Sequence, residues 1–458
     1  MGTSILSNSR IEAAYRSKTQ GSAALAKKAK NVFPSGITHD SRHMNPYGIY
    51  IEHAEGPRKW DVDGNEYIDY FGGHGALILG HNHPSVAAAV QNAYGKGTHF
   101  GASHALEIEW AEQIIRMVPC AEKVRFTSSG TEATLMAVRL ARAYTNRPKI
   151  IRFRTHFHGW NDHMAPGQAN HFDGTPTTGV INGIAENVIL VDPNDKAGVT
   201  AALSNSDVAA VILEPTGSST GMVPVAPGFL NFLRDETKSA DTLLIFDEVV
   251  TGFRVSPGGA QAEAGVTPDL ATFAKIVAGG LPGGAVAGRA DIFELLDFEA
   301  AASKGFEKIG HQGTYNANPV AAAAGIAALK IIETDGICEK ANLFGSRLRQ
   351  RLNEEIAQTG LNWAAYGEHS TIHIFTNPAN RSVSPETFNA LSIPFMELKG
   401  NAPGVVQKLR QAMLLNGVDF NGWPGGTISA SHTERELEET VLAFRQSLVL
   451  LQEEDIPH

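Results

Sequence analysis

The chain has 458 residues and an ordinary globular composition, 43% hydrophobic and 19% charged, with a formal net charge of -10. That length allows a large core and more than one domain, and the acidic balance speaks against nucleic-acid partners, whose binding rests on neutralising phosphates. Cys120 and Cys338 are too isolated for a zinc ribbon or a disulfide framework. With no secretory signal, lipidation site or long uncharged apolar run, a cytoplasmic protein with no membrane partner is expected.

In chain order, residues 1–32 read as a polar helical lead-in and VFPSGITHDSR (32–42) as an irregular segment. IYIEHAEG and WDVDGNEYIDYF read as a β-meander with a turn at Asp63-Gly64. Beyond residue 85 or so, helical stretches such as TEATLMAVRLARAYT and PGFLNFLRDETKS alternate with short apolar runs: KVRFT, KIIRF, NVILV, AAVILEP, TLLIFDEV and LATFAK. Strands apolar throughout and alternating with helices predict an α/β fold, a parallel sheet covered on both faces. Past an Ala-rich helix near residue 320, longer helices surround a few short strands such as STIHIF, a smaller α+β domain. The expected division is 1–75 as an N-terminal segment packing with the small domain, 76–325 as the large domain, and 326–458 as the C-terminal small domain.

THFHGWNDH (155–163) gathers three histidines and an aspartate, which invites a metal reading. Four other constellations follow strands, where open α/β sheets bind ligands. In RFTSSGTEAT a strand runs through Ser128 and Ser129 to Gly130, Thr131 and a helix start, either a plain helix cap or an anion seat. LLIFDEVVTGFR delivers Asp247 to a strand end, and DLATFAKIVAGGLPGG delivers Lys275 to another. A lysine there is either a snorkelling surface residue or one that is paired, neutralised or covalently used. In HQGTYNANP, Gly313 and Thr314 offer an amide and a hydroxyl. An anion seat, a carboxylate and a lysine on one sheet are what pyridoxal 5'-phosphate (PLP) requires: a phosphate site, a partner for the pyridine nitrogen and a Schiff-base amine. Neither a P-loop nor a dinucleotide fingerprint competes.

SSGTEAT, ILEP, IFDEVVTGFR, PDLATFAK and HQGTYNANP resemble, in order and spacing, the class III, fold-type I PLP-dependent aminotransferases, from VFPSG near residue 32 to ISASHT near residue 433. The resemblance implies a large domain with a mostly parallel seven-stranded sheet. It makes Lys275 and Asp247 catalytic, and Ser129, Gly130 and Thr131 the phosphate site. Gly313 and Thr314 would reach the phosphate of a neighbouring subunit, in a homodimer with shared active sites. Val249 would pack on one ring face, Phe157 would stack on the other, Glu214 would lie by the ring hydroxyl, and His158 near the cofactor. This gives the histidine cluster's weight to its aromatic, and no metal is expected.

Within the class the chain is similar to the branch holding glutamate-1-semialdehyde 2,1-aminomutase and D-phenylglycine aminotransferase. Arg42 falls where that branch grips a substrate carboxylate, as a guanidinium can bidentately. His74 and Pro424 depart from the aminomutase, which has tryptophan and an acidic gate there; Trp423 offers an apolar wall. The expected activity is amino transfer from an amino acid with an aryl or bulky side chain to a keto acid such as 2-oxoglutarate, by a ping-pong mechanism. The alternatives are intramolecular transfer, as in the aminomutase, and a PLP racemase or lyase on the same fold.

Overall fold

The computed structural model describes residues 9–455. The chain forms two compact units, Met1–His83 with Glu339–His458, and Pro84–Cys338. Helix Pro319–Thr334, which the expected division cuts at 325, lies whole within the second unit. It stays there because it packs on neighbours of that unit: a Cβ on Gly325 would lie 2.5 Å from Trp110 Nε1, which itself donates to Val277 O at 2.9 Å.

The second unit is built on seven strands: β1 Lys123–Thr127, β2 Lys149–Phe153, β3 Val188–Val191, β4 Val208–Leu213, β5 Leu243–Asp247, β6 Leu270–Ala274 and β7 Gly284–Gly288. Across the sheet their order is β1-β7-β6-β5-β4-β2-β3. Strands β6, β5, β4, β2 and β3 pair in parallel, whereas β7 runs antiparallel to both β6 and β1. Alternate residues feed the two faces, as strand geometry requires. Ile150, Ile212 and Ile245 join one core cluster under helix Gly130–Thr145, while Ile151, Val211 and Phe246 join a second with Phe229 and Leu233. A parallel sheet buried on both sides favours apolar residues on both faces of a strand, which makes its central strands legible as apolar runs.

The seventh, β7 (GAVAG), reads in sequence as part of a glycine-rich turn. It is a strand because its slot admits little else: a Cβ on Gly284 would stand 2.7 Å from both Ser129 O and Thr127 Oγ1. Since β7 reverses direction twice over, β1 still points the same way as β6. The carboxyl ends of β1, β2, β4, β5 and β6 therefore share one edge of the sheet.

In the first unit the meander forms as expected, Ile51–Glu55, Arg58–Asp61 and Glu66–Asp69, with Val418–Asp419 added in parallel. A second sheet joins Ala364–Tyr366, Thr371–Phe375 and Gly425–Thr427. The meander sheet carries a buried ion cluster: Lys59 Nζ donates at 2.7 Å to both Asp69 Oδ1 and Asp419 Oδ2, and His81 Nε2 meets Asp69 Oδ2 at 2.6 Å. Among the described residues, no helix is long and apolar enough to cross a membrane.

Candidate active site

Five loops leave the shared edge of the seven-stranded sheet, and each carries residues singled out from sequence. After β1, Ser129 caps helix Gly130–Thr145, its hydroxyl accepting from Glu132 N at 3.2 Å, while Glu132 Oε2 accepts from Ser128 N at 2.7 Å. The plain cap is thus real, and it leaves an anion seat intact, because the first amides of a helix, at Gly130 and Thr131, lack intrahelical acceptors. Approach to them is kept open by small residues: a Cβ on Gly159 would stand 2.5 Å from Thr131 Oγ1, and one on Gly130 would stand 3.0 Å from both Val249 methyls.

After β2, the stretch THFHGWNDH turns away from the strand, with Thr155 at a left-handed φ of 72°. His156 and His158 are buried, and Phe157 stands 47% exposed between them. Both imidazoles have assigned work. His156 Nδ1 accepts from Glu214 N at 3.0 Å, and His158 Nδ1 donates to Asp247 Oδ2 at 2.6 Å. Among the described residues, no group of three His, Cys, Asp or Glu side chains is placed to hold a metal ion.

After β4, Glu214 Oε1 accepts from Phe157 N at 2.7 Å and from Ser219 N at 3.3 Å, so this carboxylate fixes the backbone under the aromatic. After β5, Asp247 is buried and receives three donors: His158, Val249 N at 3.1 Å and Thr272 Oγ1 at 3.1 Å. A buried carboxylate needs such donors. Burial holds the His158 imidazolium below its ordinary range despite Asp247, so the partner is a neutral ring rather than a cation.

After β6 comes Lys275, three residues beyond Thr272, which pairs in register with Asp247. Its φ of 56° is left-handed, a strained conformation for a side chain of this size. Burial lowers the pKa of its ammonium, with Asp247 and Glu214 opposing. A lysine so desolvated presents more free amine at neutral pH, the form that attacks carbonyls.

The remaining candidates lie elsewhere. Gly313 and Thr314 are exposed in the second unit, and Thr314 O accepts from His99 Nε2 at 2.5 Å. Arg42, His74 and Trp423 belong to the first unit. Arg42 donates to Thr38 Oγ1 at 2.9 Å from a short turn, Asp40–Arg42. His74, at a left-handed φ of 60°, stacks on His39 with ring centroids 4.5 Å apart and meets the Phe71 ring edge-on at 4.8 Å. Trp423 is 38% exposed, with Lys399 Nζ 4.7 Å from its ring centre. Sequence reasoning missed Thr272, Thr134 (which donates to His158 O at 2.7 Å) and Arg152, a buried cation inside an apolar strand. The charge within KIIRF was the available signal.

This donor set fits a phosphorylated pyridine aldehyde. A desolvated amine, a buried carboxylate for a ring nitrogen and a helix-start anion seat all sit at one sheet edge, with an exposed aromatic beside them. The class-III aminotransferase family model matches residues 38–362. A curated glutamate-1-semialdehyde 2,1-aminomutase from Methanothrix thermoacetophila is 38% identical over 93% of this chain and 95% of its own length. An omega-transaminase structure from Sphaerobacter thermophilus superposes with a TM-score of 0.85 at 31% identity, covering 96% of this chain and 99% of that one. A transaminase solved with PLP bound gives 0.84 at 34% identity over 95% of this chain and 99% of that one. The match spans most of the chain and agrees with the chemistry of the sheet edge: this protein belongs to the class-III aminotransferases, of fold type I, and its cofactor is pyridoxal 5'-phosphate.

Proposed function

We propose that the enzyme moves an amino group within one substrate, as a glutamate-1-semialdehyde 2,1-aminomutase does. The observation that carries this is the likeness to an aminomutase, 38% identical over nearly the full length of both chains. Sequence alone put transfer to a second keto acid first and intramolecular transfer second; that relative favours the reverse order.

The bound cofactor supplies an aldehyde that takes up the amino group and a ring that disperses the electron pair left by a broken C–H bond. In this reading Lys275 holds the aldehyde carbon and, once released, moves the proton between the substrate and that carbon. Asp247 keeps the ring nitrogen protonated, with His158 and Thr272 fixing its carboxylate. Ser129, Gly130 and Thr131 receive the phosphate, Phe157 and Val249 cover the ring faces, and Glu214 holds Phe157. A second copy of the chain adds Gly313 and Thr314, supported by their exposure and that of Tyr315 beside them. Arg42, His74 and Trp423 are substrate contacts by family likeness. A cytoplasmic location belongs to the same proposal.

Transfer between two substrates, an amino acid and a keto acid such as 2-oxoglutarate, is the second reading. His74 and Pro424 favour it, standing where the aminomutase pattern has tryptophan and an acid, as does the likeness to transaminases at 31% and 34% identity. Glutamate 1-semialdehyde supplied alone to the PLP-loaded enzyme separates the two. Formation of 5-aminolevulinate supports the first reading. Turnover only when an amino acid and a keto acid are both present overturns it in favour of the second.

A further inference from the structure

The turn 155–159 is held at several of its main-chain groups. Thr155 O accepts from Ser218 Oγ at 2.6 Å, Phe157 N donates to Glu214, and His158 O accepts from Thr134 Oγ1 at 2.7 Å. A third carbonyl, His156 O, accepts from Arg152 NH2, and Arg152 NH1 donates to Met164 O on the far side of the same loop. Arg152 is 0% exposed, so its guanidinium has left water entirely to serve two main-chain carbonyls. A buried charge is costly unless it is well used.

We propose that Arg152 is a positioning residue for the cofactor: by clamping His156 O and Met164 O together it sets the two sides of the 155–164 loop, and so the seat of Phe157 and the approach of His158 to Asp247. The role goes beyond the choice between intramolecular and intermolecular transfer and holds for either. Burial pushes the Arg152 pKa down to about 10, with Glu214 and Asp247 opposing, and burial first, then the Arg152 charge, disfavours protonation of His158. A lysine could serve one carbonyl but not two at fixed spacing, because a guanidinium is a planar fork and an ammonium a point.

Arg152→Lys and Arg152→Met test this in the full chain, with and without PLP. Hydrogen exchange, free of any activity readout, should quicken about ten- to a hundredfold at the amides of 155–164 in Arg152→Met, the scale of a lost charge-assisted hydrogen bond. Arg152→Lys should be intermediate, and strands β4 and β5 should be unchanged. With PLP bound, the visible absorption band of Arg152→Met should shift and titrate at a different pH, with partial recovery in Arg152→Lys. Uniform acceleration across the sheet, or a wild-type band and titration in both variants, reduces Arg152 to a general stabiliser and overturns the proposal. So does failure of both variants to fold.

Discussion

The turn at 155–159 and the turn at 71–75 each present a ring from a short irregular segment, yet they are built differently. In the first, the side chains of Thr134, Arg152, Glu214 and Ser218 hold the backbone, and the imidazole of His158 is locked to Asp247. In the second, Asp69 fixes the entry by accepting from Phe71 N at 2.9 Å and Gly72 N at 3.2 Å, and His74 stacks on neighbouring rings with Ser41 Oγ 3.4 Å from its Nδ1. Groups that must match one cofactor are over-determined by the fold. Groups offered to a substrate lie on exposed loops, where substitution costs the fold little. On the site roles proposed above, fixed chemistry and changeable specificity would fall in different kinds of turn.

The contrast can be broken most sharply at Lys275. Lys275→Ala should abolish covalent attachment of PLP and lower turnover by about a thousandfold or more, the scale of a lost general base; a retained lysine-bound chromophore would show that another amine does this work. The next largest effect is expected for His158→Ala, which removes one charge-assisted hydrogen bond from Asp247 and should lower turnover about ten- to a hundredfold. An unchanged rate and pH profile would mean that Asp247 is oriented by Thr272 and Val249 alone.

His432, buried in the first unit, has a pKa pushed down to about 4 by burial. The unfolded chain takes up this proton near the ordinary value of 6.5 while the folded chain resists it, so stability falls as pH drops between those values. About 2 kcal/mol should be lost between pH 7 and pH 5 through this group, read as a difference in urea midpoints that His432→Gln removes. An equal loss in wild type and variant would exclude His432 as the source.

The smallest effect is expected on the substrate side. Arg42→Lys should raise KM for carboxylate substrates about tenfold with little change in kcat, since two parallel hydrogen bonds become one. A fall in kcat with unchanged KM would move Arg42 out of substrate binding and blur the distinction between the two turns.

Sequence made the chemistry-bearing strand ends legible because a parallel sheet forces apolar runs, against which Asp247 and Lys275 stand out. The emphasis on Phe157 within the histidine cluster came from the family resemblance. Two things were hidden. Strand β7 has too little β-branched or aromatic content to read as a strand; only the tight space around Gly284 explains it. The partners of Arg152 were invisible because one of them, Met164 O, returns to the strand only when the loop folds back. Main-chain carbonyls carry no sequence signature.

The left-handed backbone at Lys275 has a further consequence for how this position can change. Glycine is at ease there, and a lysine is not. With a desolvated ammonium added to the strained φ, Lys275→Gly should melt above the cofactor-free wild type, by a margin on the order of 1 kcal/mol. Lys275→Ala, which keeps the strain, should gain less. With the role proposed for Lys275, activity would then depend on a residue that folding selects against. Drift at this site leads toward a sturdier, inert relative, and only demand for the reaction keeps the lysine in place.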